Sequence, residues 1–242
     1  IAVYNDLEMP RYQLAAEILP YAEAGDVTGS GWYEEDEIAT LNASSNTDYT
    51  FVNWTRDGVH VDHENEISLA MEPNTVTMTA QFSSDLHPSV ELSVVAEPAT
   101  AGEVTGSGIY MPGDTVLVTS DPAPFCSFMY WRTEDGLILH RERNWHYVVP
   151  DTATTLVAQF FDGSQDRYFL ALSQLPSAPP VHGTFTGEGL YIAGHQVPVS
   201  ATPLDGYKFL QWQLADQIVL STEQDYVFAM PAGHTNLHGR FL

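Results

Sequence analysis

The sequence predicts an all-β protein built as three tandem small β-modules of five to six short strands each. Three observations predict it: a glycine-rich phrase written three times, a tryptophan at a fixed distance after each copy, and apolar residues that alternate with polar ones. The phrase reads TGSGWY at Thr28–Tyr33, TGSGIY at Thr105–Tyr110 and TGEGLY at Thr186–Tyr191. Gly29, Gly106 and Gly187 each stand 25 positions before Trp54, Trp131 and Trp212. A register kept over three copies is the signature of a repeat architecture.

The flanks extend the register. Leu14, Leu92 and Leu170 each precede a proline by six residues, and Phe82, Phe160 and Phe241 close the copies. The organisation is therefore β-repeat 1 at 12–82, a linker at 83–89, β-repeat 2 at 90–160, a linker at 161–167 and β-repeat 3 at 168–242. Residues 1–11 have no counterpart and read as a leader or the remnant of a preceding segment. The joins SSDLHPS and FDGSQDR are short and polar, as linkers are.

Within a repeat the hydrophobic period is two, which marks strands. The closing segment TVTMTAQF places Val76, Met78, Ala80 and Phe82 on one side. Ala39, Leu41 and Ala43 alternate likewise, matched by Val116 and Val118, then by Val197, Val199 and Ala201. Ile67, Leu69 and Met71 form a third row, matched by Trp145, Tyr147 and Val149, then by Tyr226, Phe228 and Met230. Leu14–Leu19 fits either a helix or a strand.

The paired glycines, Gly29 with Gly31, Gly106 with Gly108 and Gly187 with Gly189, suit a bend between two strands where positive φ or close backbone approach is needed. The tyrosine that follows, Tyr33, Tyr110 or Tyr191, can then face the core. Gly113 and Gly194 supply a further turn, and Asp36 tolerates the left-handed region at the same place. A phosphate loop would need a following helix and usually a lysine, and neither is present. These glycines are repeat turns.

The pattern resembles the divergent branch of the bacterial internalin B B-repeat superfamily. The resemblance rests on the G-x-[Y]-x-x-G phrase, on YTFVNW at Tyr49–Trp54 and GYKFLQW at Gly206–Trp212, and on the closings TMTAQF, TLVAQF and NLHGRF. The second copy departs with FCSFMYW, and the first has Asp48 where the third has glycine. The resemblance implies compact β-modules, grasp-like in better-known relatives, set in tandem on secreted or wall-attached bacterial proteins. It implies no catalysis and supplies no set of binding residues.

Composition narrows the partners. The 242 residues carry 32 acidic and 8 basic side chains, a net charge of −24. Such a balance argues against nucleic acid, whose phosphates must be neutralised by Lys and Arg, and against anionic lipid. No apolar run approaches the ~20 residues of a membrane helix. Cys126 is the single cysteine, so no internal disulfide is possible. The chain begins at Ile1, consistent with a processed or excised segment.

Of the candidate sites, Trp54, Trp131 and Trp212, with Phe51, Phe128 and Phe209 three residues before them, read as core and not as a sugar-stacking platform. Trp32, aligned with Ile109 and Leu190, and Trp145, aligned with Ile67 and Tyr226, are expected in the core too. Cys126 is expected to be an inert buried residue in a strand. His60, Asp62, His63 and Glu64 lie close in sequence, and His234 and His238 could share a strand face. Neither set recurs between copies or has zinc-type spacing.

Acid is concentrated in the first repeat, in EEDE (Glu34, Glu35, Asp36, Glu37) and in DHENE, with Asp62, Glu64 and Glu66. These are calcium candidates, since calcium takes six to eight oxygen ligands, although neither stretch is a recognised calcium loop. No other cofactor is expected. No nucleophile elbow, H-E-x-x-H or recurrent carboxylate pair is present, so the chain is not expected to be an enzyme. The expected role is a non-catalytic segment of an exported protein, extracellular or on a bacterial cell surface, acting as a spacer, adhesive stalk or protein-interaction array. Its partners would be a host or neighbouring surface protein or a glycan, with a monomer as the expected assembly. The alternative is a carbohydrate- or peptide-binding module, with or without dependence on calcium.

Overall fold

The computed structural model describes residues 9–177 and 179–242. The leader assigned to residues 1–11 falls mainly on residues 1–8, outside the described residues. Regular structure among the described residues is β throughout, except for one 3-10 turn at Ala22–Ala24. No described helix is long and apolar enough to cross a membrane.

The first repeat contains β1 (Arg11–Leu19), β2 (Gly25–Thr28), β3 (Gly31–Glu34), β4 (Ile38–Ser45), β5 (Thr50–Arg56), β6 (Val59–Asp62), β7 (Glu66–Ala70) and β8 (Val76–Ser83). The second contains β9 (Val90–Glu97), β10 (Gly102–Thr105), β11 (Gly108–Tyr110), β12 (Thr115–Pro122), β13 (Ser127–Thr133), β14 (Ile138–His140), β15 (Trp145–Val148) and β16 (Thr154–Phe161). The third contains β17 (Arg167–Leu175), β18 (Gly183–Thr186), β19 (Gly189–Ile192), β20 (Gln196–Pro203), β21 (Phe209–Gln213), β22 (Val219–Ser221), β23 (Asp225–Ala229) and β24 (Thr235–Phe241). Eight strands per repeat exceed the five or six anticipated. The additional ones span three or four residues, too few for a period of two to register.

The chain divides into two compact units. Unit 1 is Ile1–Ser93, Thr105–Thr119 and Asn144–Thr154; unit 2 is Val94–Val104, Ser120–Arg143 and Thr155–Leu242. The second repeat thus contributes to both. In unit 1 the first repeat forms a sheet ordered β3-β1-β8-β5-β6 and a smaller sheet β2-β4-β7. The pair β1/β8 is parallel, with Leu14 opposite Val76, which makes Leu14–Leu19 a strand. In unit 2 the third repeat repeats the plan as β19-β17-β24-β21-β22 and β18-β20-β23, again with a parallel pair, β17/β24.

A recurrent irregularity explains the aromatic spacing. Phe51 and Trp54 are three residues apart, which on a regular strand would put them on opposite faces. The register shifts between Phe51 and Asn53, between Phe128 and Tyr130, and between Phe209 and Gln211. Each shift is a β-bulge, which re-aims the side chains that follow it. Both rings therefore reach one core, with Phe–Trp centroids 5.7, 5.6 and 5.3 Å apart in the three copies. The closing phenylalanines pack edge-on against the same rings, Phe51 on Phe82, Phe128 on Phe160 and Phe209 on Phe241.

Trp54, Trp131 and Trp212 are fully buried. Each indole N–H donates to a backbone carbonyl, at Glu64 (3.1 Å), Glu142 (3.0 Å) or Gln224 (3.1 Å), as a buried tryptophan requires. Burying one indole contributes about 4–6 kcal/mol at the usual area coefficient.

Three expectations are corrected. Trp32, Ile109 and Leu190 are 62%, 56% and 44% exposed. They lie beside tyrosines that face inward, and neighbours on a strand point to opposite faces, so they face out. Trp145 is half-buried, not part of the core. Cys126 is a free, half-buried residue in the turn before β13, not a buried strand residue. Its neighbour Phe125 is fully exposed, with φ of 67°.

Candidate functional site

The glycine phrase closes on itself in each copy. Tyr33, Tyr110 and Tyr191 donate their hydroxyls to the carbonyls of Gly29 (2.5 Å), Gly106 (3.0 Å) and Gly187 (2.7 Å). The first glycine of each phrase has φ between 96° and 113°. A Cβ at Gly29 would lie 1.9 Å from the Thr40 carbonyl oxygen. A further recurrent glycine, invisible in the phrase, is Gly25, Gly102 or Gly183. A Cβ at any of them would lie 2.5 Å from a ring carbon of Phe82, Phe160 or Phe241. Its signal was in the sequence, three residues before each Thr of the phrase.

Beyond these cores, the structure builds one joint twice. It forms where the turn after the tyrosine of one repeat meets the hairpin after the tryptophan of the preceding repeat. In unit 1, the Thr115 N–H donates to the Gly58 carbonyl at 2.8 Å, and Thr115 pairs in parallel with Val59 of β6. In unit 2, the Gln196 N–H donates to the Gly136 carbonyl at 2.8 Å, and Gln196 bridges in parallel to Leu137. Gln196 Nε2 adds a bond to the Asp135 carbonyl at 3.1 Å.

The side chains of the two joints occupy the same places with different chemistry. In the first, Asn53 and Gln81 are direct cross-strand partners. Asn53 Nδ2 donates to Asp114 Oδ2 at 2.7 Å, and Gln81 Nε2 donates to Asp114 Oδ1 at 2.5 Å. Asp114 Oδ2 also accepts the Met111 N–H at 3.0 Å, which holds the turn. All three side chains are buried, with Asp114 only 3% exposed. A buried carboxylate is tolerable when charge-assisted hydrogen bonds fill its lone pairs, as here.

In the second joint Tyr130 stands in the place of Asn53 and His195 in that of Asp114, with Tyr130 Oη 2.6 Å from His195 Nδ1. Burial, reinforced by the Arg132 charge, lowers the His195 pKa to about 4, so the imidazole is neutral near pH 7. Burial raises Tyr130 to about 12, so its hydroxyl stays protonated and the pair is a neutral phenol against a neutral imidazole. Arg132, itself buried, donates from Nε to Gln159 at 3.0 Å and pairs with Glu97.

Each joint also seats side chains of the preceding repeat against the incoming tyrosine ring. His63 lies 4.8 Å and His60 5.0 Å from the Tyr110 ring centroid. Burial, then the neighbouring His63, lowers His60 to about 4. In the second joint the Arg141 guanidinium carbon lies 4.9 Å from the Tyr191 centroid, and Arg141 donates to the Tyr191 hydroxyl. An open cleft of about 330 Å³ borders it, lined by Ile138, Arg141, Glu142, Thr186, Gly187 and Pro198.

The acidic candidates take local roles. Glu37 Oε2 accepts the Glu34 N–H at 2.8 Å, the same turn-holding bond that Asp114 makes. Asp36 has φ of 62° and its N–H donates to the Met71 carbonyl. Asp62 Oδ1 accepts the Glu64 N–H at 3.0 Å, and Glu66 accepts from Asn42 Nδ2. Glu35 is exposed. Among the described residues no group of three or more His, Cys, Asp or Glu converges on a point that could hold a metal ion. His234 and His238 are each spent locally, His234 Nδ1 accepting the Phe169 N–H at 2.8 Å and His238 meeting Ser173 at 2.7 Å.

No curated protein matches the chain. Among solved structures, the Bacillus anthracis TIE protein matches at 8% identity and a TM-score of 0.19, over 95% of this chain and 51% of that one. This chain thus spans about half the length of that protein. The family described as the divergent InlB B-repeat domain matches three times, over residues 19–86, 92–164 and 174–242. Repeat domains of this family are generally non-catalytic and are associated with bacterial surface proteins. With three matches in series over most of its length, the chain belongs to the divergent InlB B-repeat family.

Proposed function

We propose that the chain is a non-catalytic spacer segment of an exported bacterial surface protein, presenting neighbouring domains or contacting a partner surface. The observation that carries this reading is the joint built twice to one backbone plan, with a 2.8 Å bond from Thr115 to Gly58 and from Gln196 to Gly136. The recurrent aromatic side chains Trp54, Trp131 and Trp212 and the closing phenylalanines are spent on cores, and the polar ones singled out above on turns and joints, which suits a structural array. Antibodies to the segment should label unpermeabilised cells of the source bacterium, and labelling only after permeabilisation would overturn the surface role.

A second reading, glycan or peptide binding, is favoured by Trp32, an indole 62% exposed on an edge strand. Exposed aromatic faces are natural stacking platforms. A glycan-array signal lost in Trp32→Ala would replace the spacer reading with this one.

A further inference from the structure

The two joints reveal what covers a repeat's hairpin, and the third repeat carries that hairpin uncovered. Val219 takes the place of Ile138, and Ile218 that of Leu137, by their pairing with Gln213 and Arg132. Ile138 is 4% exposed under its joint, whereas Ile218 and Val219 are 52% and 50% exposed. Gln217, with φ of 67°, occupies the turn position of Gly136. Gln211 and Arg240 are cross-strand partners at the places of Asn53 and Gln81. Arg240 is exposed and has no ion-pair partner among the described residues.

The first repeat carries the complementary corner, which no described residue covers as the joints cover theirs. Tyr33 is half-exposed, whereas Tyr110 and Tyr191 are 2% and 0% exposed within their joints. Ile38, at the place of Thr115 and Gln196, is 63% exposed. Glu37, at the place of Asp114, holds its own turn through Oε2 and leaves Oε1 without a partner among the described residues.

We propose that the corner of the first repeat docks on the hairpin of the third repeat of a second copy of this chain, head to tail. The chemistry of the first joint is conserved in this pairing. The Gln211 amide and the Arg240 guanidinium converge on the Glu37 carboxylate, as Asn53 and Gln81 converge on Asp114. Ile38 covers Ile218 and Val219, and its N–H faces the Gln217 carbonyl. The contact is heterologous, so an open assembly keeps one free corner and one free hairpin to which further copies add. Its net charge of −24 makes each copy repel the next, so association is expected only with the charge screened and at high concentration.

Sedimentation velocity of the full chain in 0.15 M salt, from about 10 μM to about 1 mM, tests this. The mass should rise continuously above 26.7 kDa without reaching a fixed end-point. Ile218→Asp, Arg240→Glu and Glu37→Arg should each weaken association about ten-fold or more. An equimolar mixture of Arg240→Glu with Glu37→Arg should restore it, because each variant repels itself and attracts the other. Ile218 and Arg240 are exposed, so those variants should unfold as the parent chain does. A monomer at 1 mM, a mass that saturates at a dimer, or association indifferent to Ile218→Asp and Arg240→Glu would each overturn the proposal. The first of these results would assign the two faces to flanking domains instead.

Discussion

The joint in unit 1 and the joint in unit 2 share a backbone and differ in chemistry. Each has an N–H from the incoming turn on a hairpin carbonyl at 2.8 Å, and each buries a tyrosine whose hydroxyl folds back on a glycine carbonyl. Around that frame, one joint clasps a carboxylate between two neutral amides, and the other sets a phenol against a neutral imidazole. The lesson is that the backbone specifies where a repeat docks, while the side chains set how strongly and under what conditions. A buried anion held by three donors is costly to disturb; a neutral pair is cheaper but sensitive to protons.

The largest effect should come from removing the anion. Asp114→Ala leaves Asn53 Nδ2, in a side chain 0% exposed, without its acceptor, leaves Gln81 Nε2 with Thr55 Oγ1 alone, and frees the Met111 N–H. Unsatisfied buried groups cost about 1–3 kcal/mol each, so a loss of roughly 2–4 kcal/mol is expected. Tyr130→Phe removes the neutral bond to a half-buried histidine and the long 3.5 Å bond from the Ile192 N–H, and should cost about 1 kcal/mol. Urea unfolding of the two variants measures the difference directly. An Asp114→Ala loss no larger than that of Tyr130→Phe would show that the carboxylate is not the stronger clasp.

Much of the architecture was legible in the sequence because it recurs. Trp54, Trp131 and Trp212, the glycine phrases and the closing phenylalanines align copy on copy, and each occupies the same place in its repeat. Gly25, Gly102 and Gly183 were equally legible by alignment, but a lone glycine carries no chemical signal until a ring is seen above it. Trp32 was misplaced because apolar character was weighed above the period of two that Tyr33 already fixed. The joints were not legible. Their partners lie in successive copies, so aligning copies sets Asn53 beside Tyr130 and Asp114 beside His195, where complementary pairs look like unrelated substitutions. The bulge that aims Asn53 and Tyr130 at those partners is a backbone feature, announced only by the odd Phe-x-x-Trp spacing.

Acid should sharpen the contrast by a smaller amount. His195 and His60 titrate near 4 when folded and near 6.5 in the ordinary state. Between those values the unfolded chain binds protons that the folded chain refuses. Stability is therefore full above about pH 6.5 and falls as pH drops toward 4. His195→Gln removes the contribution of the second joint and leaves that of His60 in place. Melting temperatures between pH 7 and pH 4.5 should fall less steeply for His195→Gln than for the parent chain. Equal slopes would mean that the imidazole of the second joint is as freely protonated as one in water.

The smallest effect serves as the control that lies in neither joint. Phe125 has φ of 67° at the place where the first repeat has Asp48, with φ of 68°, and the third has Gly206, with φ of 90°. Aspartate and glycine tolerate the left-handed region; a β-carbon bearing a phenyl ring does so at a cost of roughly 1–2 kcal/mol. The ring recovers nothing by packing, since Phe125 is fully exposed. Phe125→Gly relieves the strain and gives back part of it through the greater freedom of glycine in the unfolded chain, about 0.5–1 kcal/mol. The net expectation is a stabilisation of up to about 1 kcal/mol, read as a higher urea midpoint with an unchanged slope. The pH dependence and the Asp114→Ala and Tyr130→Phe losses should be the same in this background, because sites without shared partners add. A destabilised Phe125→Gly would mean that the exposed ring is held by a contact, and that this turn is more than the strained entry to β13.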